Sequence, residues 1–378
     1  MRIGYVSTYP PIECGIGTYT SYLNEAIYKL HNETFVISQS GAIGRNVFPV
    51  YDPGSASIAS KIYDLSISMT PDIIHIQHEY GLYGSQKGVQ IIELIVRFRM
   101  VEVPVATTLH TVFPDFKYDE KILTRLILNE SNIVIVHENY QKEILLKVFG
   151  LEYDTKIFVV PHGVRSIIMD EHGKRKLELE GKKVVLLCGY FRPTKGFHKI
   201  VKIFPQIVEK IPNAILLIAG KSRGLEFLDY QREFFELINQ SPVTDQMLVL
   251  RGQFPQHTFD TILSAADLVC LPYDKSGQSG ILAQCFAHHK PVVTSDLLSF
   301  RASLDRSHGG LLGKDDEEMG EAIIKILSDD DFRKQLEENI IDYVDRDVNW
   351  KNVAELHIKA YQSVVRVPYG KARHVFWE

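Results

Sequence analysis

Cysteine is scarce in this sequence and is never clustered. The 378 residues include four cysteines, which lie far apart and form no C-x-x-C pair: Cys14, Cys188, Cys270 and Cys285. Each has an apolar residue or glycine beside it, which indicates buried thiols in a reducing compartment rather than a disulfide framework or a zinc site. No spacing typical of a metal motif such as H-E-x-x-H occurs either, so no metal site is predicted.

Long apolar runs and an excess of positive charge are also missing. No apolar stretch reaches the length of about 18 residues that a membrane-spanning helix needs, and the N-terminus does not read as a secretory leader. The formal net charge is -5, whereas nucleic-acid-binding proteins are normally basic. The sequence therefore predicts a cytoplasmic protein without a nucleic-acid partner. The stretch "LIVRFRMVEV" (94–103) leaves peripheral membrane contact open.

Short apolar runs alternate with helical periodicity along most of the chain. Apolar residues throughout each run are typical of parallel strands that are covered on both faces. Strand–helix repetition then predicts a doubly wound α/β fold with right-handed crossovers. The predicted strands are 2–7, 34–38, 72–77, 104–109, 132–137 and 157–161, followed by 183–188, 214–219, 247–251, 267–272 and 291–294.

The pattern starts again near residue 183, and the length suits two domains of roughly 150–200 residues each. The predicted domains are an acceptor-side Rossmann-like domain (1–165), a donor-side one (166–345), and a C-terminal helix with a tail (346–378). Ligands of such sheets bind beyond the carboxyl ends of the strands, so a cleft between the two domains is the expected site.

Two loops after predicted strands are candidates for phosphate contact. In "CGIGT", Gly15 and Gly17 would let a phosphate or a sugar approach the backbone, although the full G-x-G-x-x-G fingerprint of a nicotinamide enzyme is incomplete. In "GYFRPTKGF", Arg192 and Lys195 would neutralise a diphosphate whose charge grows as it leaves.

A third turn lies in "SGQSGILAQCFAHHKPVV" (276–293). Glycines flank it and a predicted helix follows, so its backbone amides are expected to face an anion. The residues involved are Ser276, Gly277, Gln278, Ser279, Gly280 and Ile281.

Histidines follow three predicted strands, as His78, His110 and His137. His110 ends a strand expected at the centre of the sheet, so it is expected to point into the cleft. Glu79 and Glu138 are candidate bases by position alone.

In this order the motifs resemble those of the retaining GT-B glycosyltransferases of family 4, over nearly the whole chain. The glycine loop is followed by a histidine after "TTL", by "VPHGV" where the family usually has Asn-Gly, and by "GYFRPTKG" for G-R-x-x-x-x-K-G. "LLIAGKSRG" and "ADLVCLPYDKSGQSGILAQCFAHHKPVV" follow. The helix around Trp350 resembles the family helix that returns to the N-terminal domain.

The departures from the family pattern fall on functional positions. The two family glutamates are replaced by Ser276 and Gln284, and the arginine of G-R falls on Tyr190, with Arg192 two residues further on. The serine puts the identity of the donor sugar in doubt, and the glutamine would weaken ribose binding by on the order of 1 kcal/mol.

The resemblance implies a metal-independent transferase that needs no cofactor besides its substrate, a nucleoside-diphosphate sugar linked to GDP or UDP. It would move a mannose- or glucose-type hexose, with retention, to a hydroxyl of a carbohydrate or lipid-linked acceptor. Lys195 would bind the diphosphate, His110 would lie against the transferred sugar, and Gln284 would contact the ribose. The backbone of Gly252 would lie near the nucleobase, and Tyr80 and Gly81 would face the acceptor side.

Three other functions remain open at this point. A nucleotide-sugar epimerase of the same fold would need Glu79 or Glu138 as acid and base. A non-catalytic nucleotide-sugar-binding subunit is consistent with the loss of both family glutamates. A nicotinamide-dependent dehydrogenase is disfavoured by the incomplete glycine fingerprint.

Overall fold

The computed structural model describes residues 1–84, 86–222, 226–275 and 280–366. They form two compact units, one made of Met1–Gly163 and the segment that begins at Asp347, the other of Val164–Arg346. The divisions predicted from the sequence fall after residues 165 and 345. We call these units 1 and 2 and describe each by itself.

Unit 1 is built on a parallel sheet that has seven strands among the described residues. Its order is β3-β2-β1-β4-β5-β6-β7, and a sheet in this order is doubly wound, which confirms the predicted fold class. The strands are β1 (Arg2–Val6), β2 (Glu33–Gln39), β3 (Val47–Tyr51), β4 (Ile73–His78), β5 (Val105–Leu109), β6 (Ile133–Val136) and β7 (Ile157–Val159).

Helices connect these strands and cover the sheet. They are α1 (Gly15–Lys29), α2 (Ile58–Ser68), α3 (Gln90–Met100), α4 (Tyr118–Glu130) and α5 (Asn139–Phe149). Helix α1 shows why they form: Tyr19, Leu23, Ala26 and Ile27 recur at helical spacing, and all four are buried.

Unit 2 repeats the same design with six parallel strands in its described part, in the order β10-β9-β8-β11-β12-β13. The strands are β8 (Lys183–Tyr190), β9 (Ala214–Lys221), β10 (Met247–Arg251), β11 (Leu268–Leu271), β12 (Val292–Ser295) and β13 (Gly310–Gly313). The helices are α6 (Gly173–Lys176), α7 (Phe197–Lys210), α8 (Leu228–Asn239), α9 (Gln256–Ala265), α10 (Gly280–Ala287), α11 (Leu298–Ser307), α12 (Asp316–Ser328) and α13 (Asp330–Tyr343).

The last helix, α14 (Trp350–Gln362), belongs to unit 1 and packs against α1. Its residues Val353, Ala354, Ala360 and Tyr361 are buried in one core cluster with Tyr19 of α1. Burial of this apolar face holds the C-terminal segment to unit 1.

Two strands were not predicted, and both lie at sheet edges. Strand β3 contains Pro49, which lowers the strand signal but is tolerated at an edge, where an N–H is not needed. Strand β13 reads "GLLG", which is short and begins and ends with glycine. A Cβ at Gly310 would lie 2.1 Å from the Val292 carbonyl oxygen, so close strand packing requires the glycine.

Among the described residues, no helix has the length and apolarity to cross a membrane.

Candidate functional site

Lys195 of unit 2 lies in the loop that follows the carboxyl end of β8 at Tyr190. The 3₁₀ turn Pro193–Lys195 holds it, and Gly196 then adopts a left-handed conformation (φ 64°) before α7 starts. A Cβ at Gly196 would lie 1.9 Å from the carbonyl oxygen of Pro272, so only glycine fits there. The "TKG" sequence is therefore a rigid support for the lysine.

The Lys195 ammonium group lies over the ring of Tyr273, 3.5 Å from the ring centroid. No carboxylate of the described residues forms an ion pair with it. Burial lowers the pKa of Lys195 to about 7, and the nearby Arg192 contributes in the same direction. A cation held in this way is stabilised by an anionic ligand that replaces the lost water.

Arg192 stands beside Lys195 at the same strand end. Its Nε is buried and has no hydrogen-bond partner in the part of the chain that the structure describes. The Lys195 amide donates to the Arg192 carbonyl oxygen (3.0 Å), which fixes the two residues relative to each other. The structure thus brings the two predicted cations together.

The predicted phosphate-binding turn is only partly described. Ser276, Gly277, Gln278 and Ser279 lie outside the described residues. Gly280 and Ile281 form the first positions of α10, as predicted, and a Cβ at Gly280 would have open space around it. Gly252 follows β10 with φ 151° and also has open space around the position of a Cβ. Both glycines leave their backbone accessible at strand or helix ends.

The Gln284 side chain of α10 is engaged by a residue that the sequence analysis missed. Arg165 Nε donates to Gln284 Oε1 (2.9 Å), and the Arg165 guanidinium forms a two-contact ion pair with Asp260. Gln256 also donates to Asp260 (2.9 Å).

His288 completes this arrangement. Its Nδ1–H donates to the Gln284 carbonyl oxygen (2.9 Å), and its Nε2 lies 3.4 Å from Asp260 Oδ1. Burial lowers the pKa of His288 to about 4, so the ring is neutral at physiological pH. Arg165, Asp260, Gln284 and His288 thus form a polar cluster in which Arg165, held by Asp260, orients the Gln284 carboxamide, while His288 contacts only the Gln284 main chain.

In unit 1 the first glycine loop lies at the start of α1, as predicted. Gly15 is exposed, with open space around the position of a Cβ. Gly17 is buried, and a Cβ there would lie 3.2 Å from the Thr8 backbone. The first glycine therefore leaves the helix start open, whereas the second permits close packing of α1 on the loop after β1.

His110 directly follows β5 and is buried, with 8% of its surface exposed. Its Nε2 lies 2.8 Å from Gln77 Oε1 and its Nδ1 lies 3.3 Å from His137 Nε2. The edge of the Tyr19 ring packs against it with centroids 5.0 Å apart. Burial and the surrounding histidines hold the pKa of His110 well below its usual range, so the ring is neutral.

The two candidate bases have structural contacts. The Glu79 carboxylate accepts from Thr111 Oγ1 (2.6 Å) and from the Tyr80 amide (3.0 Å), and burial raises its pKa. Glu138 is buried at the N-cap of α5, where its amide donates to Gln141 Oε1 (3.0 Å). Within the described ranges, no group of three His, Cys, Asp or Glu residues is arranged to hold a metal ion.

The predicted site residues that the structure describes therefore gather at the carboxyl ends of strands in their own unit. Gly15, Gly17 and His110 lie in unit 1, whereas the others lie in unit 2: Arg192, Lys195, Gly252, Gly280, Ile281 and Gln284. This is the edge at which doubly wound sheets bind ligands.

Comparison with known proteins identifies the family. Residues 169–364, more than half of the chain, match the model of a family described as glycosyl transferases group 1. Phosphatidyl-myo-inositol mannosyltransferase of Mycolicibacterium smegmatis is 27% identical over 290 residues, which cover 71% of this chain and 68% of that protein. An uncharacterized glycosyltransferase of Methanocaldococcus jannaschii is 23% identical over 253 residues, 65% of this chain and 62% of that protein. The matched stretch thus spans only about two thirds or less of these relatives.

Solved structures agree with this fold. Sucrose-phosphate synthase from Thermosynechococcus elongatus superimposes with a TM-score of 0.77 at 16% identity, covering 96% of this chain and 99% of that one. Anabaena HepE, solved in complex with UDP and glucose, has a TM-score of 0.74 at 15% identity, covering 96% of this chain and 100% of that one.

The two doubly wound sheets and these neighbours define a GT-B fold, as the sequence predicts. The chain belongs to the glycosyl transferases group 1 family and is a glycosyltransferase.

Proposed function

We propose that this glycosyltransferase moves a mannose- or glucose-type hexose from a GDP- or UDP-linked donor to a hydroxyl acceptor, with retention and without a metal ion. The observation that carries the proposal is the state of Lys195, which is desolvated, fixed by a rigid turn and without an ion-pair partner among the described carboxylates. A diphosphate supplies the missing negative charge.

Charge stabilisation at the leaving group is the proposed source of catalysis. As the bond between C1 of the sugar and the diphosphate oxygen breaks, negative charge grows on the diphosphate. Lys195 and Arg192 stabilise that charge from fixed positions. The acceptor oxygen then bonds to C1 from the same face, and its proton passes to the departing phosphate oxygen. No metal ion and no further cofactor are needed in this scheme.

The start of α10 supplies the second set of phosphate contacts in this proposal. Backbone amides at Gly280 and Ile281 donate to the phosphate oxygens and gain from the helix dipole. Gln284, one turn further along, contacts the ribose, and Gly252 leaves room for the nucleobase.

His110 suits a position against the transferred sugar because it is neutral. The sugar develops positive charge in an oxocarbenium-like transition state, and a histidinium cation beside it would be repelled. Burial keeps the ring uncharged. The pair of free carboxylates that a glycosidase would need is not part of this scheme, since Glu79 is engaged by Thr111 and Tyr80.

The printed functions of similar proteins support the donor class. The Mycolicibacterium smegmatis relative is named a mannosyltransferase, and the Anabaena structure contains UDP and glucose. These names favour a nucleotide sugar as donor and leave both nucleotides to be tested. A carbohydrate or lipid-linked acceptor is proposed on the same basis.

Membrane contact through α3 remains a proposal of its own. Val96 and Met100 are exposed on this helix, and Arg97 and Arg99 lie beside them. An apolar stripe flanked by arginines suits an anionic lipid surface. Flotation with anionic liposomes tests it: recovery of all protein in the bottom fraction would contradict the proposal.

A ligand screen followed by a transfer assay tests the main proposal. Thermal unfolding is measured with UDP, GDP, ADP and their common sugar conjugates, in the presence of EDTA. The matching nucleotide is expected to raise the midpoint by a few degrees, because saturation at 100 times Kd adds about 2.7 kcal/mol. The donor that binds is then offered to carbohydrate and lipid-linked acceptors, and the anomeric configuration of the product is read by NMR.

Two outcomes of this experiment would contradict the proposal. One is a midpoint unchanged by every nucleoside diphosphate. The other is an epimerised donor formed without acceptor, which would indicate the epimerase instead.

A further inference from the structure

A continuous run of buried polar groups crosses unit 1 from Val160, which follows β7, to α14. It links the Val160 carbonyl, His137, His110, Gln77, His75 and Tyr361. The distances between successive partners are 2.9, 3.3, 2.8, 3.3 and 2.7 Å. His75, Gln77, His137 and Tyr361 have no exposed surface, so water does not compete for these contacts.

The position of each proton follows from one end of the run. A carbonyl oxygen carries no proton, so His137 Nδ1–H must donate to Val160. His137 is neutral, because burial lowers its pKa to about 3, and its Nε2 is therefore an acceptor. His110 must then donate from Nδ1, which leaves a lone pair on His110 Nε2.

The orientation of Gln77 and the proton of His75 follow from the His110 lone pair. The lone pair of His110 requires the NH₂ group of Gln77, and a half-turn of the amide provides it without moving either ring. The Gln77 oxygen then faces His75, whose Nε2–H donates to it and to Thr108 Oγ1 (2.7 Å).

Tyr361 completes the run at its other end. His75 Nδ1, left without a proton, accepts from the Tyr361 hydroxyl (2.7 Å). Every contact then contains one proton and every histidine is neutral. With the opposite orientation of Gln77, two lone pairs would face each other between His110 and His137.

We propose that Gln77 is a positioning residue that keeps His110 in the neutral Nδ1–H tautomer set from the Val160 end of the run, because the Gln77 amide occupies the Nε2 lone pair. For activity this rests on the proposed function, in which His110 lies against the transferred sugar. The tautomers themselves do not depend on it. His110 then acts through its fixed shape and lack of charge, and neither ring nitrogen is free to accept the acceptor's proton.

The surroundings of His110 agree with a neutral ring. The titratable groups that face it are His75, His78, His137 and His162, and each has a pKa lowered by burial. The edge of the Tyr19 ring faces it from α1. Since these neighbours supply no negative charge, a proton added to His110 would have no counter-ion.

Long-range ¹H–¹⁵N NMR of the histidine side chains in the whole protein tests the tautomers directly. We expect Nδ1–H for His110 and His137 and Nε2–H for His75. Tyr361→Phe removes the hydroxyl that His75 accepts from but leaves the Val160 end of the run intact, so His110 should keep its Nδ1–H tautomer. A single Nε2–H tautomer of His110 in the wild type, or its appearance in Tyr361→Phe, would overturn the proposal.

Gln77→Glu tests the consequence for activity. A carboxylate of nearly the same shape accepts from both sides, so it should hold a second proton on His110 Nε2 and turn the ring into a cation. We expect ¹⁵N shifts of a doubly protonated His110 at neutral pH and a fall in kcat of about a hundredfold, with donor KM changed by less than about threefold.

Gln141→Glu is the matched control. Gln141 is also fully buried in unit 1, and its Oε1 accepts from the amides of His137 and Glu138, which a carboxylate also does. We expect it to fold and to keep kcat within about threefold of the wild type. If both variants lose activity equally, buried charge alone is the cause and the positioning role is wrong.

The NMR spectrum and the activity together distinguish a wrong proton order from a wrong placement of His110 in the proposed function. Neutral His110 in Gln77→Glu would overturn the proton order. A cationic His110 with wild-type activity would leave the proton order intact and contradict the placement of His110 against the sugar.

Discussion

The two sheets have the same strand order but opposite chemistry at their carboxyl ends. In unit 1 the end of β5 carries His110, a neutral ring whose nitrogens both have partners within the unit. In unit 2 the end of β8 carries Lys195, a cation without a carboxylate partner among the described residues. The same topology therefore supports a hydrogen-bonded network around His110 in unit 1 and, in unit 2, a lysine without a carboxylate partner among the described residues.

The difference shows that the polar groups at this edge of unit 1 are satisfied without a ligand, whereas the lysine charge in unit 2 is not. The histidine network of unit 1 satisfies its own hydrogen bonds, so it needs no ligand to be stable. Lys195 loses hydration on folding and regains little, so unit 2 is less stable with the charged lysine than without it. A site of this kind lowers the stability of the unit and raises its affinity for an anionic ligand.

Removing the positive charge of Lys195 is the strongest test of this comparison. We expect Lys195→Ala to lower kcat/KM for the donor by about a hundredfold or more, because a fixed cation at the leaving group is lost. Steady-state kinetics with the donor identified above measures it. Lys210→Ala, at an exposed position at the end of α7, should retain wild-type kinetics. Equal activity of wild type and Lys195→Ala would exclude the proposed role.

The pH profile tests the same charge without changing its position. The pKa of Lys195 is lowered to about 7, so the free enzyme loses the ammonium form as pH rises through 7. Donor kcat/KM should therefore fall by about 50-fold between about pH 7 and pH 9. In Lys195→Arg the guanidinium remains charged, and the alkaline fall should disappear.

The same pKa shift makes a statement about stability. A lysine whose pKa is lowered on folding binds more protons when unfolded, so the contribution of Lys195 to the free energy of unfolding should rise with pH between about 7 and 10.5. Chemical denaturation of the wild type and of Lys195→Met across this range checks the sign of the difference between them. A slope that is the same in Lys195→Met would show that another group causes it.

Much of the fold could be predicted from the sequence because parallel strands covered on both faces leave a strong signal. The apolar runs gave eleven of the thirteen strands of the described residues, with bounds close to those observed. The two that were missed, β3 and β13, lack that signal since edge strands tolerate proline and glycine. Short edge strands are set by their neighbours rather than by their own sequence.

The candidate site was predictable only where a residue lies at or shortly after the end of a predicted strand. His110 directly follows β5, and Lys195 lies in the loop after β8, which ends at Tyr190. Arg165 contacts Asp260 and Gln284, which lie 95 and 119 residues further along, and no local pattern announces such a contact. One feature of the sequence indicates the polar network. His75 and Gln77 alternate with isoleucine in the buried strand β4, where apolar residues are the norm.

The smallest expected effect concerns the polar cluster around Gln284. In Arg165→Met the guanidinium no longer holds the Gln284 carboxamide, and Asp260 loses its ion pair. We expect donor KM to rise about tenfold, with kcat within about twofold of the wild type, because an oriented ribose contact affects binding more than the chemical step. Isothermal titration with the nucleoside diphosphate should show the same loss of affinity.

Arg232→Met is the matched control, since Arg232 forms an exposed i,i+3 ion pair with Asp229 on α8, whose contribution to stability is small. The variant Gln284→Glu sharpens the result. Near Arg165 a carboxylate gains a charge-assisted bond, whereas in the Arg165→Met background it lies close to Asp260 with no cation between them. Gln284→Glu should therefore bind the donor better with Arg165 present than without it. If Gln284→Glu changes donor affinity equally in both backgrounds, Arg165 does not act through Gln284. Unit 2 would then contain the Lys195 site without an oriented polar cluster around Gln284.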